Sequence, residues 1–153
     1  MSCRVVVIAV AIQLQVAGMA AARGEECSQE LETKMSHTVF ASWSQIHKWF
    51  RCAGHCDDGA IAESFSEGVV HLLASRWDAT SDLKRLTSTD PSFLPFVLKH
   101  IDESTDPSEV NKILGACRHR CPKTLLGLCA QIGAAAEKAK GGFERDGRWG
   151  EGT

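Results

Sequence analysis

The sequence predicts an all-α protein: a small, disulfide-stabilised bundle of about five helices that is left after removal of an export signal. Three observations lead to this fold class. Apolar residues recur at steps of three, four and seven in several segments, which is the spacing of one helix face. The sequence lacks the alternating pattern of a half-buried strand. Six of the seven cysteines follow the apolar amino terminus, and an even set in an exported chain indicates disulfides.

The first 22 residues have the features of a signal peptide. Arg4 precedes the apolar run 5–12, and the small residues Ala20 and Ala22 fit the pattern that a signal peptidase cleaves. Gln13 interrupts the apolar run too early for a spanning helix, which needs about 20 apolar residues. We therefore expect an exported protein, periplasmic or secreted, whose mature form is not held in a membrane.

The first two helices are predicted from apolar stripes. One helix is expected over about residues 28–53, and turn-forming residues follow it from Gly54. The second is expected to begin at Asp57 or Asp58, because a carboxylate at the helix start accepts hydrogen bonds from free backbone N–H groups. This helix continues to about Trp77, and a linker with one short turn at 83–86 follows it.

The later helices have clearer start signals. Residues 89–91 (Thr-Asp-Pro) open one helix. Residues 106–109 (Asp-Pro-Ser-Glu) open the next, with a cap residue, a proline at the first helical position and a Glu three residues after the Asp. Pro122 separates this helix from the last one. The helical domain is thus predicted over 23–140, and the Gly- and charge-rich residues 141–153 are predicted to form a disordered tail.

The six cysteines after the signal are the disulfide candidates. Two C-x3-C pairs occur, and residues four apart share a helix face, so the two pairs could bridge each other and leave the first cysteine for the last. Six cysteines nevertheless allow fifteen pairings, and a zinc site of four thiolates is the alternative at this spacing. The candidates are Cys27, Cys52, Cys56, Cys117, Cys121 and Cys129.

A polar cluster after the first helix is the candidate metal site. His55, Asp57 and Asp58 are adjacent on a turn, and His119 would join them if the two C-x3-C pairs were bridged. Imidazole and carboxylates bind divalent metals or perform acid–base chemistry. The alternative interpretation is that the two Asp residues cap a helix and that the imidazole is solvated. His100, at the rim of an apolar stripe, is interpreted as a surface or boundary residue.

Composition and motifs favour a binding protein over an enzyme. The net charge is −2 and the sequence has no basic block, which argues against a nucleic-acid partner. The sequence contains no G-x-S-x-G elbow, phosphate loop or dinucleotide motif, so enzymatic activity is left open but is not favoured, and no cofactor is expected. The leading hypothesis is a macromolecule-binding inhibitor, immunity factor or adaptor with a protein partner.

Two other functions remain open. One is a carrier of a small apolar ligand, and the other is a metal-dependent enzyme centred on His55, Asp57 and Asp58. The carrier hypothesis requires an apolar cavity. The aromatic residues expected to line it are Trp43, Trp49, Phe50, Phe65, Phe93 and Phe96.

Part of the chain resembles small exported bacterial proteins of unknown function. The resemblance lies in residues 55–67 (HCDDGAIAESFSE), residues 96–102 (FVLKHID), and Cys121-Pro122 with Cys129. It covers roughly residues 50 to 135. The resemblance implies a periplasmic helical domain and transfers no functional residue.

Overall fold

Seven α-helices form the fold in the computed structural model, which describes residues 27–147. The all-α prediction is confirmed, and the described residues contain no strand. The helix count of about five was too low, because two predicted segments fold differently from expectation. The helices are α1 (Gln29–Ser36), α2 (Trp43–Ala53), α3 (Gly59–Ser75), α4 (Thr80–Thr89), α5 (Phe93–Lys99), α6 (Pro107–His119) and α7 (Leu126–Arg145).

The first predicted helix is two helices, α1 and α2, separated by an irregular segment over 37–42. Ser42 begins α2, since its side chain accepts a hydrogen bond from the backbone N–H of Gln45. Within the segment, Phe40 is buried while its neighbour Val39 is 86% exposed. Phe40 turns into the core, and a new helix begins after Ser42. The apolar stripe that predicted one continuous helix over 28–53 is therefore interrupted here.

The other differences extend helical structure. The predicted linker with one short turn is the ten-residue helix α4, which buries Leu83 and Leu86. The last helix continues to Arg145, five residues past the predicted domain boundary at 140, because it buries Phe143. Residues 148–153 of the predicted tail, and the predicted signal at 1–22, lie outside the described residues.

Helix α3 is the centre of the fold. It contacts α1, α2 and α6, and α6 in turn packs along α7. Asp58 is its N-cap, as predicted, and accepts a hydrogen bond from the N–H of Gly59. Gly68 lets the ring of Phe40 lie against the helix backbone, since a Cβ atom at this position would come within 2.3 Å of that ring. Nine residues of α3 are buried, and its exposed face includes Glu63 and Glu67.

The α6 start is confirmed in detail. The Asp106 side chain accepts a hydrogen bond from the Ser108 N–H, and Pro107 is the first helical residue. Within residues 27–147, none of the helices has both the length and the apolar character needed to cross a membrane.

Aromatic side chains fill the space between α2, α3 and α5. The ring centroid of Phe96 lies 4.6 Å from that of Phe50 and 4.8 Å from that of Phe65. Phe50 and Phe93 are 5.4 Å apart. Four of the six rings predicted as a cavity lining, Phe50, Phe65, Phe93 and Phe96, therefore pack on one another, and none of the six lines the clefts described below.

Candidate functional site

Residues 27–147 contain two disulfides, and they differ from the predicted pairing. Cys56 bonds to Cys27 rather than to the second C-x3-C pair, and Cys121 bonds to Cys129. Packing of α1 on α3 brings Cys27 beside the short turn after α2, where Cys56 lies. The second bridge is local, closing the turn between α6 and α7. Bridging of the two C-x3-C pairs was therefore a wrong prediction.

The remaining two cysteine candidates are on helices. Cys52 lies on α2 and Cys117 on α6, and both are partly buried. Burial raises the pKa of the Cys117 thiol to about 11. A thiol that ionises so reluctantly is a poor nucleophile and a poor metal ligand at neutral pH.

Three of the four predicted metal ligands share one cleft. This disulfide cleft has a volume of about 410 Å³ and its lining includes His55, Asp57 and Asp58. His119 does not line it and is exposed at the end of α6. The other lining residues are Cys27, Glu32, Cys56, Gly59 and Ile61.

The donor atoms of the predicted set do not converge. Asp58 is engaged as the cap of α3, and Asp57 is paired with residues of α5 and its C-terminal end. Among residues 27–147, the group of donor atoms that lie within 4.8 Å of one another is instead Cys27, His55 and Cys56. Of the four predicted ligands, His55 is thus in this group of donor atoms, and Asp57, Asp58 and His119 are not.

Asp57 connects the cleft to a buried polar network. Its Oδ2 atom accepts a hydrogen bond from Lys99 Nζ at 2.7 Å, and its Oδ1 atom lies 3.2 Å from His100 Nε2. The Oδ1 and Nε2 atoms are close enough for an ion pair, but their alignment falls outside hydrogen-bond geometry. Because Lys99 already neutralises much of the Asp57 charge, this carboxylate attracts a second cation weakly.

His100 is the centre of this network. It is 1% exposed, so its prediction as a surface or boundary residue was wrong. Its Nδ1 atom lies 2.9 Å from Ser66 Oγ, and Ser66 Oγ lies 3.1 Å from Asp102 Oδ2. Ser66 has one hydroxyl proton, so it donates either to the imidazole or to the Asp102 carboxylate at any moment.

Burial holds the His100 imidazole in its neutral form. Desolvation lowers the pKa of His100 below 6.5, and the neighbouring Lys99 charge lowers it further, while Asp57 and Asp102 act in the opposite direction. The desolvation effect is the largest because the ring is packed against Phe96, with centroids 4.4 Å apart.

Ser66 links this network to a second cleft. The acidic cleft, about 640 Å³ in volume, lies between α3 and the segment leading into α6. Four of its lining residues are carboxylates, and its described lining includes no Lys or Arg. The lining residues are Glu63, Ser66, Glu67, Ser104, Thr105, Asp106 and Glu109.

Two carboxylates of the acidic cleft have described polar partners. Hydrogen bonds from Ser108 lower the pKa of Asp106, so its carboxylate is ionised. Glu109 Oε1 lies 3.7 Å from His71 Nδ1, on a histidine that is itself half exposed.

The two clefts are connected by three side chains that lie in sequence through the core. Ser66 lines the acidic cleft, His100 lies behind it, and Asp57 lines the disulfide cleft.

This network was not predicted from the sequence, although both of the segments that form it, 55–67 and 96–102, had been singled out there. Asp57 and Ser66 come from residues 55–67, and His100 and Asp102 come from residues 96–102, the segments on which the family resemblance rests. The available signal was the pair of polar segments flanked by buried aromatics. Only the fold shows that they meet.

Comparisons of the chain with protein-family models, with curated proteins and with solved structures found no match.

Proposed function

We propose that the chain is an exported helical protein that acts by binding another macromolecule, and that its acidic cleft receives a basic segment of a protein partner. The observation that carries this proposal is the composition of the cleft: four carboxylates surround it without a Lys or Arg in its described lining. A concave surface with one sign of charge concentrates the field and attracts ligands of the opposite sign.

The cleft is also held in a fixed shape. Ser66, on its floor, is 3% exposed and tied to His100 and Asp102. Asp106 is fixed as the cap of α6. Groups that are already in place lose little conformational entropy when a partner binds.

The magnitude of such an interaction is modest. An exposed charge pair contributes about 0.2–1 kcal/mol, so four pairs supply about 1–4 kcal/mol. Salt screens these contributions over about 8–10 Å at physiological ionic strength. We therefore expect binding of a short basic peptide to be weak and strongly salt-dependent, and binding of a whole partner to need further contacts.

Within this proposal the protein is an inhibitor, immunity factor or adaptor of the periplasm or of the secreted fraction. Small size, the signal-like amino terminus and the disulfides support this role. The carrier hypothesis has less support, because four of its six aromatic residues pack on one another. The metal-enzyme hypothesis has less support as well, because its carboxylates are used as a helix cap and as an ion-pair partner.

The experiment is a titration of the full, oxidised chain with a lysine- and arginine-rich model peptide at low and at physiological salt. We compare the natural chain with a triple variant, Glu63→Gln, Glu67→Gln and Glu109→Gln. The expected result is a fall in affinity of at least about tenfold for the triple variant, which corresponds to about 1.4 kcal/mol.

A matched control removes the same number of charges elsewhere: Glu30→Gln, Glu137→Gln and Glu144→Gln, all exposed and outside the cleft. This control variant should bind the peptide nearly as well as the natural chain. Equal losses in the two triple variants would show that only net charge matters, and the cleft would not be the binding site.

A further inference from the structure

We propose that Cys27, His55 and Cys56 form a zinc site when the Cys27–Cys56 disulfide is reduced. The two sulfur atoms and one imidazole nitrogen lie within 4.8 Å of one another. Among residues 27–147, this is the set of at least three possible metal-ligand atoms that are so close together. Thiolate and imidazole are the donors that Zn²⁺ prefers. The proposal is independent of partner binding at the acidic cleft.

The geometry needs only small movements. In a tetrahedral zinc site, two sulfur ligands are about 3.8 Å apart, and a sulfur and a nitrogen ligand are about 3.5 Å apart. The imidazole must therefore approach by no more than roughly 1.3 Å, and the two sulfurs must separate to about 3.8 Å. Cys27 precedes α1 and is exposed, so its backbone is not fixed by a helix, whereas Cys56 is buried in the turn after α2. The Cys27 side is thus the one expected to move.

The surroundings suit a divalent cation. Glu32 and Asp58 line the same cleft and are exposed. Their negative charge stabilises a bound cation, while it disfavours two bare thiolates next to each other. Three protein donors leave the fourth zinc position for water or for the Glu32 carboxylate, since Asp58 caps α3.

The reaction is balanced by a dithiol reductant. The reductant gives two electrons and two protons to the disulfide, which becomes two thiols, and the reductant leaves as its own disulfide. Zn²⁺ then replaces the two thiol protons, which pass to solvent. A small-molecule disulfide reverses the sequence: it takes two electrons from the two thiolates and, with two protons from solvent, is reduced to thiols, while the bond between Cys27 and Cys56 forms again and Zn²⁺ is released.

The test measures zinc binding to the full chain before and after reduction. After the reductant is removed under anaerobic conditions, the chain is alkylated with and without Zn²⁺, and each cysteine peptide is quantified by mass spectrometry. We expect one Zn²⁺ to protect Cys27 and Cys56 in the reduced chain, and the oxidised chain to bind none at this site. Equal alkylation of both cysteines with and without Zn²⁺, or protection only at Cys121 and Cys129, would overturn the proposal.

A histidine variant separates this site from non-specific thiol binding. His55→Ala should raise the zinc dissociation constant at least about tenfold, since loss of a ligand costs at least as much as loss of a supporting residue. His119→Ala, another exposed histidine next to a cysteine-rich turn, is the control and should leave the constant unchanged. Equal constants for the two variants would contradict the assignment of His55.

Loss of structure on reduction does not block the test. If the reduced chain loses helical circular dichroism, Zn²⁺ should restore it, because binding to the folded site favours the folded state. A reduced, unfolded chain that stays unfolded with excess Zn²⁺ would also overturn the proposal.

Discussion

Replacing His100 by glutamine tests whether the imidazole is a neutral, buried support of the fold. Glutamine keeps hydrogen-bonding groups but cannot reproduce the ring contacts with Phe96 and Phe65, at 4.4 and 5.6 Å between centroids. Each lost aromatic contact costs about 0.5–1.5 kcal/mol, while the Ser66 hydroxyl keeps the Asp102 carboxylate as its acceptor. We expect His100→Gln to lower the free energy of unfolding by about 1–3 kcal/mol at pH 7.5.

The same variant gives a second readout through pH. Because the folded-state pKa of His100 is below 6.5, the unfolded chain binds more protons as the pH falls below 6.5. This uptake lowers the stability of the natural chain by at most about 1.4 kcal/mol per pH unit, and the loss continues until the folded-state pKa is reached. The variant lacks this group, so the stability gap between the two proteins should narrow from pH 7.5 to pH 5.

The assay is urea unfolding followed by circular dichroism at four pH values. His119→Gln, at an exposed position, is the control. Its free energy of unfolding should change with pH in the same way as that of the natural chain. A gap that widens on acidification would mean that Asp57 and Asp102 hold a charged imidazolium. That result would refute the neutral assignment.

Three further predictions concern other parts of the fold. The Ser92 hydroxyl donates a hydrogen bond to Asp90, and this bond is the main cause that lowers the pKa of Asp90 to about 2. The ionised Asp90 carboxylate therefore contributes stability that is present above pH 3.8 and is lost as the pH falls towards 2. Asp90→Asn should lower stability at pH 7 and flatten the acid limb between pH 3.8 and 2 in urea titrations; an unchanged acid limb would contradict this. Burial raises the pKa of Cys117 to about 11, against 9.0 for an ordinary thiol. Cys117 should therefore react with iodoacetamide at pH 8 about a hundredfold more slowly than a small reference thiol. Comparable rates would show that the thiol is not buried. Gly68→Ala should cost about 1–3 kcal/mol in denaturant unfolding because its Cβ would meet the Phe40 ring, and a neutral effect would mean that the ring can move aside.

The fold class followed from the sequence because helical periodicity and capping are local properties. The α6 start could be predicted from the sequence, since the cap Asp106 and the first-turn residue Pro107 act within one turn. The break between α1 and α2 could not, because it depends on the burial of Phe40 against Gly68, a contact between residues distant in sequence. Helix α4 was missed for a related reason, since its buried residues gain their stability from packing on α2.

The candidate site was predictable only in part. The sequence singled out His55, Asp57 and Asp58 as a polar turn, and the structure places them on one cleft. The partners of Asp57 come from a segment more than forty residues away, so local reasoning could not pair it with Lys99. The Cys27–Cys56 pairing was missed in the same way, because it depends on how α1 packs on α3. The Cys121–Cys129 bridge is local, and the spacing of the cysteines alone did not single it out among fifteen pairings.

The most direct test of partner binding at the acidic cleft is site-specific photo-crosslinking in the host cell. A photoreactive amino acid replaces Glu67 inside the cleft or, as a control, Glu137 on α7. The proposal predicts a crosslink from position 67, absent from position 137, to one protein at a segment rich in Lys and Arg. It also predicts that Glu63→Gln with Glu109→Gln removes this crosslink. Equal crosslinks from positions 67 and 137, or a crosslink that survives the removal of both charges, would contradict binding at the acidic cleft.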